Sequence, residues 1–151
     1  MNMSNDESVK SFLKNADFKC QKCSACCRYE PGAVFLTEDD VNKICNYLSI
    51  DTDSFLKKYC RGIFKGGKLV VSLLEKDNYD CIFWDNGCTI YDARPLQCVT
   101  YPFWPSLVES ERNWIIESKR CIGINKKGEM NLSLKYKYYK LEKNAEIMEM
   151  K

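Results

Sequence analysis

Four thiols occupy eight consecutive residues in Cys20-Gln21-Lys22-Cys23-Ser24-Ala25-Cys26-Cys27, and six more follow at Cys45, Cys60, Cys81, Cys88, Cys98 and Cys121. The chain contains no histidine. Thiolate is a soft, charged donor that favours zinc and iron–sulfur clusters. Without imidazole, any such site is sulfur-dominated, with carboxylate or water as the remaining additions. The same absence removes Ser–His–Asp and Cys–His catalytic pairs. There is no glycine-rich phosphate cradle, since Gly66-Gly67 is too short and is better read as a turn.

Redox compartment decides how ten cysteines are read. Met1 to Lys10 carries no apolar core of a secretion signal, and no stretch approaches the run of about 18 apolar residues that spans a bilayer. Cytoplasm is therefore the expected location. In a reducing cytosol this density of thiols points to metal or redox work rather than to a disulfide framework. The vicinal pair Cys26-Cys27 agrees, because neighbours bond each other only with strain in the peptide between them.

Two groups emerge: Cys20, Cys23, Cys26 and Cys27, then Cys81, Cys88, Cys98 and Cys121. Cys20, Cys23 and Cys26 have the C-x₂-C-x₂-C spacing that bacterial ferredoxins present to one [4Fe–4S] cluster, whose fourth ligand is remote. The ferredoxin run continues with three residues and Cys-Pro, whereas this chain has Cys27 at once. Adjacent side chains diverge, so Cys26 and Cys27 serve different sites or only one ligates. Eight cysteines suffice for two four-thiolate sites, or for one cluster with spare thiols. A Cys₄ zinc site needs the same ligands in pairs. The distal group has no second C-x-x-C, which tilts the reading toward iron–sulfur. Cys45 and Cys60 fall on apolar helix faces and are read as small core hydrophobes.

The remaining composition describes a domain able to bury an ordinary core: 151 residues, 45% hydrophobic and 29% charged, with mean hydropathy −0.42 and net charge +2. That balance gives no electrostatic case for nucleic acid or membrane binding. Lys135, Lys137, Lys140 and Lys143 alternate with tyrosines but are interrupted by Glu142, Glu146 and Glu149, so they read as a solvated helix face.

The elements that must position the thiols are short and mixed. A short helix with Val9, Phe12 and Leu13 on one side precedes the cysteine run. Pro31-Gly32 ends that run and Val34-Phe35-Leu36 reads as a strand. Thr37 caps a helix through Leu48, with Val41, Ile44, Cys45 and Leu48 inward. Asp51 or Asp53 caps the next, with Phe55, Leu56, Tyr59 and Cys60 on its apolar side. Residues 62–74 form a β-hairpin turning at Gly66-Gly67. Asn86-Gly87 makes a turn across which Cys81 and Cys88 face each other. Asp92 to Cys98 forms one helical turn, stopped by Tyr101-Pro102-Phe103-Trp104-Pro105. Trp114-Ile115-Ile116 reads as a strand and Gly123 to Gly128 as a loop. A last helix runs from about Asn131 to Met148, striped by Leu134, Tyr138, Leu141, Ala145 and Met148. The fold class is α+β: a small domain of short helices and a hairpin around a cysteine-rich site. The expected organisation is an N-terminal segment at 1–17, a cysteine-cluster core at 18–122, and a loop and helix at 123–151 packed on it.

Arg94 suits either hydrogen bonds to cluster sulfurs or an anionic substrate, or support of its loop, and support is preferred. Tyr91, Tyr101, Phe103 and Trp84 are expected to pack around the site and exclude water.

The run Cys20–Cys27, followed by Val-Phe-Leu-Thr-Glu-Asp-Asp, and then Cys81-Ile-Phe, Cys88-Thr-Ile-Tyr-Asp-Ala-Arg-Pro-Leu-Gln-Cys98 and Tyr101-Pro-Phe, resembles the CxxCxxCC zinc- or iron-chelating family, the YkgJ-type cysteine-cluster proteins. The resemblance covers roughly Phe18 to Cys121 and places eight family cysteines on Cys20, Cys23, Cys26, Cys27, Cys81, Cys88, Cys98 and Cys121. The family often has Gly after its second cysteine, where this chain has Ser24. The resemblance implies metal or cluster binding. With the spacing argument, the expected cofactor is an iron–sulfur cluster, most simply [4Fe–4S], ahead of zinc, with an unknown protein or redox partner and with Arg94, Tyr91 and Tyr101 as the expected cofactor-side residues. Some longer relatives are flagellin lysine methylases that include this module. The chain lacks their extra length, so methyl transfer stays a third expectation, behind redox or modification chemistry and a structural-zinc interaction module.

Overall fold

The computed structural model describes residues 2–20 and 33–150, so Cys23, Cys26, Cys27 and most of their loop lie outside the described residues. Its elements are α1 (Asn2–Asn15), α2 (Glu38–Leu48), α3 (Thr52–Tyr59), β1 (Cys60–Lys65), β2 (Lys68–Leu73), a 3₁₀ turn at Tyr91–Ala93, α4 (Leu96–Thr100), α5 (Pro105–Val108), α6 (Glu111–Arg120) and α7 (Leu132–Lys143). The α+β class is as expected. No helix among the described residues is long and apolar enough to cross a membrane. The contacts divide the chain into two compact units, residues 2–20 with 100–144 and residues 33–99 with 145–150.

The 33–99 unit is built on the hairpin. β1 and β2 pair antiparallel from Cys60↔Leu73 to Lys65↔Lys68, and Gly66 (φ 60°) and Gly67 (φ 80°) supply the left-handed turn. The other edge of β2 is covered as well. Leu36 N donates to Val71 O (3.1 Å), Leu73 N to Val34 O (3.0 Å) and Val71 N to Met148 O (2.8 Å). The expected strand at Val34–Leu36 is thus realised as isolated bridges, with Phe35 opposite Ser72. Covering both edges leaves β2 no open ladder. α2 starts at a reciprocal cap: Thr37 Oγ1 accepts from Asp40 N (3.1 Å) and Asp40 Oδ2 accepts from Thr37 N (3.0 Å). Asp51, not Asp53, caps α3, and Leu36, Val41, Ile44, Phe55, Val71, Phe83 and Ile90 fill this core.

The 100–144 unit packs α1, α5, α6 and α7 around Val9, Leu13, Phe103, Trp114, Ile124 and Tyr139. Three expectations change here. Trp114-Ile115-Ile116 is helical, inside α6, whose N-cap Ser110 accepts from Asn113 N (3.2 Å). Only Trp114 is buried, while Ile115 and Ile116 are half exposed. α7 ends at Lys143, and Ile147 and Glu149 are drawn into bridges with Thr37 and Val70 instead. The inward face of α7 is Lys135 and Tyr139, not the stripe through Leu141, which is exposed. Lys135 therefore leaves the solvated face: its Nζ, buried, donates to Leu13 O (3.0 Å) at the end of α1 and lies 3.6 Å from Asp17 Oδ1. A lysine ammonium there adds a second donor to a helix-end carbonyl that also accepts from Ala16 N (3.3 Å).

Candidate metal centre

Cys81 and Cys88 lie at the bases of two successive tight loops. Cys81 bridges to Glu75, with Ile82 N donating to Leu74 O (3.0 Å) beside it. Cys88 bridges to Trp84 across Asn86 (φ 55°) and Gly87 (φ 141°), and Thr89 clamps Phe83 O with both its N and Oγ1 at 2.8 Å. The Asn86-Gly87 turn is as expected, but its register sets Cys88 opposite Trp84 rather than Cys81. Both cysteines are half-buried against the core that holds Phe83 and Ile90.

Cys98 is carried by α4. Pro95 cannot donate a backbone hydrogen bond and separates α4 from the 3₁₀ turn at Tyr91, so one expected helical turn becomes two short ones. Cys98 N and Val99 N both donate to Pro95 O (2.9 and 3.1 Å). Two side chains fasten this short helix from outside. Asp40, buried, accepts from Leu96 N with Oδ1 (2.9 Å), and Gln97 accepts from Phe35 N (3.0 Å) while donating to Ala33 O (2.7 Å). Lys43 Nζ adds a bond to Arg94 O (2.7 Å).

Arg94 takes the supporting role. Its Nε donates to Tyr91 O (3.0 Å) and its guanidinium lies 4.0 Å from the Tyr91 ring centroid. Tyr91 is 56% exposed, so its ring shields Arg94 rather than sealing a site from water.

In the other unit the chain before Cys20 runs antiparallel to the chain after Cys121. Phe18 bridges to Ile124, and Lys19 N donates to Gly123 O (3.0 Å). Only glycine fits here: a Cβ on Gly123 would lie 2.4 Å from Lys19 O and one on Gly128 would lie 2.2 Å from Phe18 O. Cys20 is exposed and Cys121 buried. Tyr101 is buried with its hydroxyl donating to Glu117, which also accepts from Arg120 Nη1 (2.6 Å), and it hydrogen-bonds the Cys121 thiol. Burial, the Glu117 carboxylate and Cys121 all push the phenol far up, so it stays protonated. Phe103 is fully buried in this core and Trp84, in the other unit, half-buried.

Cys45 and Cys60 differ from the rest. Both are buried among Ile44, Phe55 and Leu73, and burial raises both thiols, Cys60 to about 12 with Cys45 adding to the shift. Protonated thiols in an apolar core are poor ligands.

Among the described residues no three cysteine or acidic side chains are disposed around a common metal position. The donor chemistry still fits a soft metal, since the set is thiol throughout and its described members sit on loops or short helices held by identified bonds. Asp40, Gln97 and Glu117 escaped the sequence reading. Asp40 was legible as the third helical residue after a Thr cap, but nothing local shows that its second oxygen reaches Leu96.

A 95-residue match to "Uncharacterized protein MJ0661" of Methanocaldococcus jannaschii is 36% identical and covers 61% of this chain and 48% of that protein, so the chain spans about half the length of this curated relative. No solved structure matches. A family model described as "Putative zinc- or iron-chelating domain" matches residues 19–131, which include all eight cysteines of the two groups; the chain belongs to this CxxCxxCC family.

Proposed function

We propose that this protein is a cytoplasmic iron–sulfur protein, working with a redox partner in electron transfer or protein modification. Cys20, Cys23, Cys26, Cys27, Cys81, Cys88, Cys98 and Cys121 are its ligand set. The observation that carries the reading is the C-x₂-C-x₂-C run in a chain without histidine. The apolar burial of Cys45 and Cys60, whose thiols are pushed up, fits a packing role for that pair and leaves the eight family cysteines as the candidate ligands. A bound cluster would supply one-electron chemistry. The chain's own part is to hold loops: Arg94 and Tyr91 brace the turn before Cys98, and the Tyr101 hydroxyl, whose proton goes to Glu117, hydrogen-bonds the Cys121 sulfur and favours one orientation of it.

Cys23→Ser and Cys45→Ala separate ligands from packing. After anaerobic reconstitution, Cys23→Ser loses iron and Cys45→Ala keeps it while losing stability through its cavity. Equal loss of iron from both variants would contradict the division of the cysteines.

A structural-zinc module is the second reading. It is favoured by the setting of Cys81 and Cys88 in tight loops with little regular structure, the kind of segment zinc stabilises. Stoichiometric zinc without sulfide in anaerobically purified protein would select it.

A further inference from the structure

We infer that Gln97 and Asp40 are positioning residues for Cys98, an inference that rests on the reading of Cys98 as a metal ligand. α4 has five residues, too few to hold a helical conformation unaided. Its direction must come from bonds beyond its own backbone: at its C-terminal end Thr100 Oγ1 donates to Glu142 Oε2 (3.1 Å), and at its N-terminal end, next to Cys98, the bonds run to one segment, 33–40. The Gln97 amide spends both ends on that segment, accepting from Phe35 N and donating to Ala33 O. Asp40 divides its carboxylate, one oxygen on the Thr37 cap and the other on Leu96 N, the first N–H of α4. One buried carboxylate thereby starts two helices. The segment so bound begins six residues beyond Cys27. The sulfur of Cys98 is thus aimed by side chains that are not themselves ligands, and the backbone leading out of the N-terminal cysteine run is part of the clamp.

Gln97→Leu removes both bonds at nearly constant volume. Gln97→Glu keeps the acceptor for Phe35 N and loses the donor to Ala33 O. Val108→Ala, buried in α5, lowers stability alone. Cobalt(II) titrated anaerobically into the metal-free full-length proteins reads affinity, and its sulfur-to-metal absorption bands read ligand geometry, at a temperature where circular dichroism shows each protein folded. The expected result is a loss of cobalt affinity of about tenfold or more in Gln97→Leu, with altered bands. Gln97→Glu falls between, and Val108→Ala behaves as wild type. Wild-type affinity and bands in both Gln97 variants would overturn the inference, as would an equal loss in Val108→Ala. If Gln97→Leu does not fold, Gln97→Glu decides by the same criteria. Failure of the wild type to bind cobalt would instead strike the metal reading beneath it.

Discussion

Cys60 shows what burial in an apolar core does to a thiol. Its thiol, pushed up to about 12, loses its proton later than in the unfolded chain, where cysteine titrates near about 8.5. The folded state therefore holds the proton more tightly, and its stabilisation is complete below about pH 8.5 and lost as pH rises toward about 12. Urea midpoints across that window should fall less steeply in Cys60→Ala than in wild type; parallel curves would contradict the buried-thiol account. Lys135 makes the opposite point, because a charge read as solvated is buried on a helix end. Lys135→Met leaves Leu13 O with only its bond from Ala16 N (3.3 Å) and should cost about 0.5–1.5 kcal/mol, measured by urea unfolding; unchanged stability would refute the bond. The burial of Cys45 and Cys60 was legible because apolar residues at helical spacing precede them. The place of Lys135 was not, because its partner is 122 residues away.

At the scale of elements, local chemistry predicted what local chemistry determines. The Thr37 cap, the Asp51 cap and the Gly66-Gly67 hairpin each follow from a few adjacent residues, and all three appear where expected. Thr37→Ala should cost about 1 kcal/mol, read from thermal or urea unfolding; no loss would mean the cap is not formed. The failures are places where tertiary contacts outweigh a run of side chains. Trp114-Ile115-Ile116 has strand-like composition, but the Ser110 cap and burial of Trp114 alone make it helical. The C-terminal helix stops early because the Met148 and Met150 backbones bond to Leu36, Val71 and Leu69, which pairs Ile147 with Thr37 and Glu149 with Val70. Neither outcome has a signature in a short window.

For the whole molecule, the ligands are unequally supported. Cys81, Cys88 and Cys98 depend on loops and a five-residue helix, whereas α2 and the hairpin have apolar faces of their own. Ligand-site assembly and local folding share one free energy, so metal removal should increase hydrogen exchange over Asp80–Cys98 and leave α2 protected. Uniform protection with and without metal would oppose this coupling. The family was legible from cysteine spacing. The two-unit division was not, because it joins residues 2–20 to 100–144 through contacts that no motif announces. The central claim, a thiol-held iron–sulfur centre, is tested most directly by iron, zinc and acid-labile sulfide analysis of anaerobically purified protein together with its absorption spectrum. The account predicts brown protein with iron and sulfide in comparable amounts; colourless protein carrying zinc, or no metal at all, would contradict it.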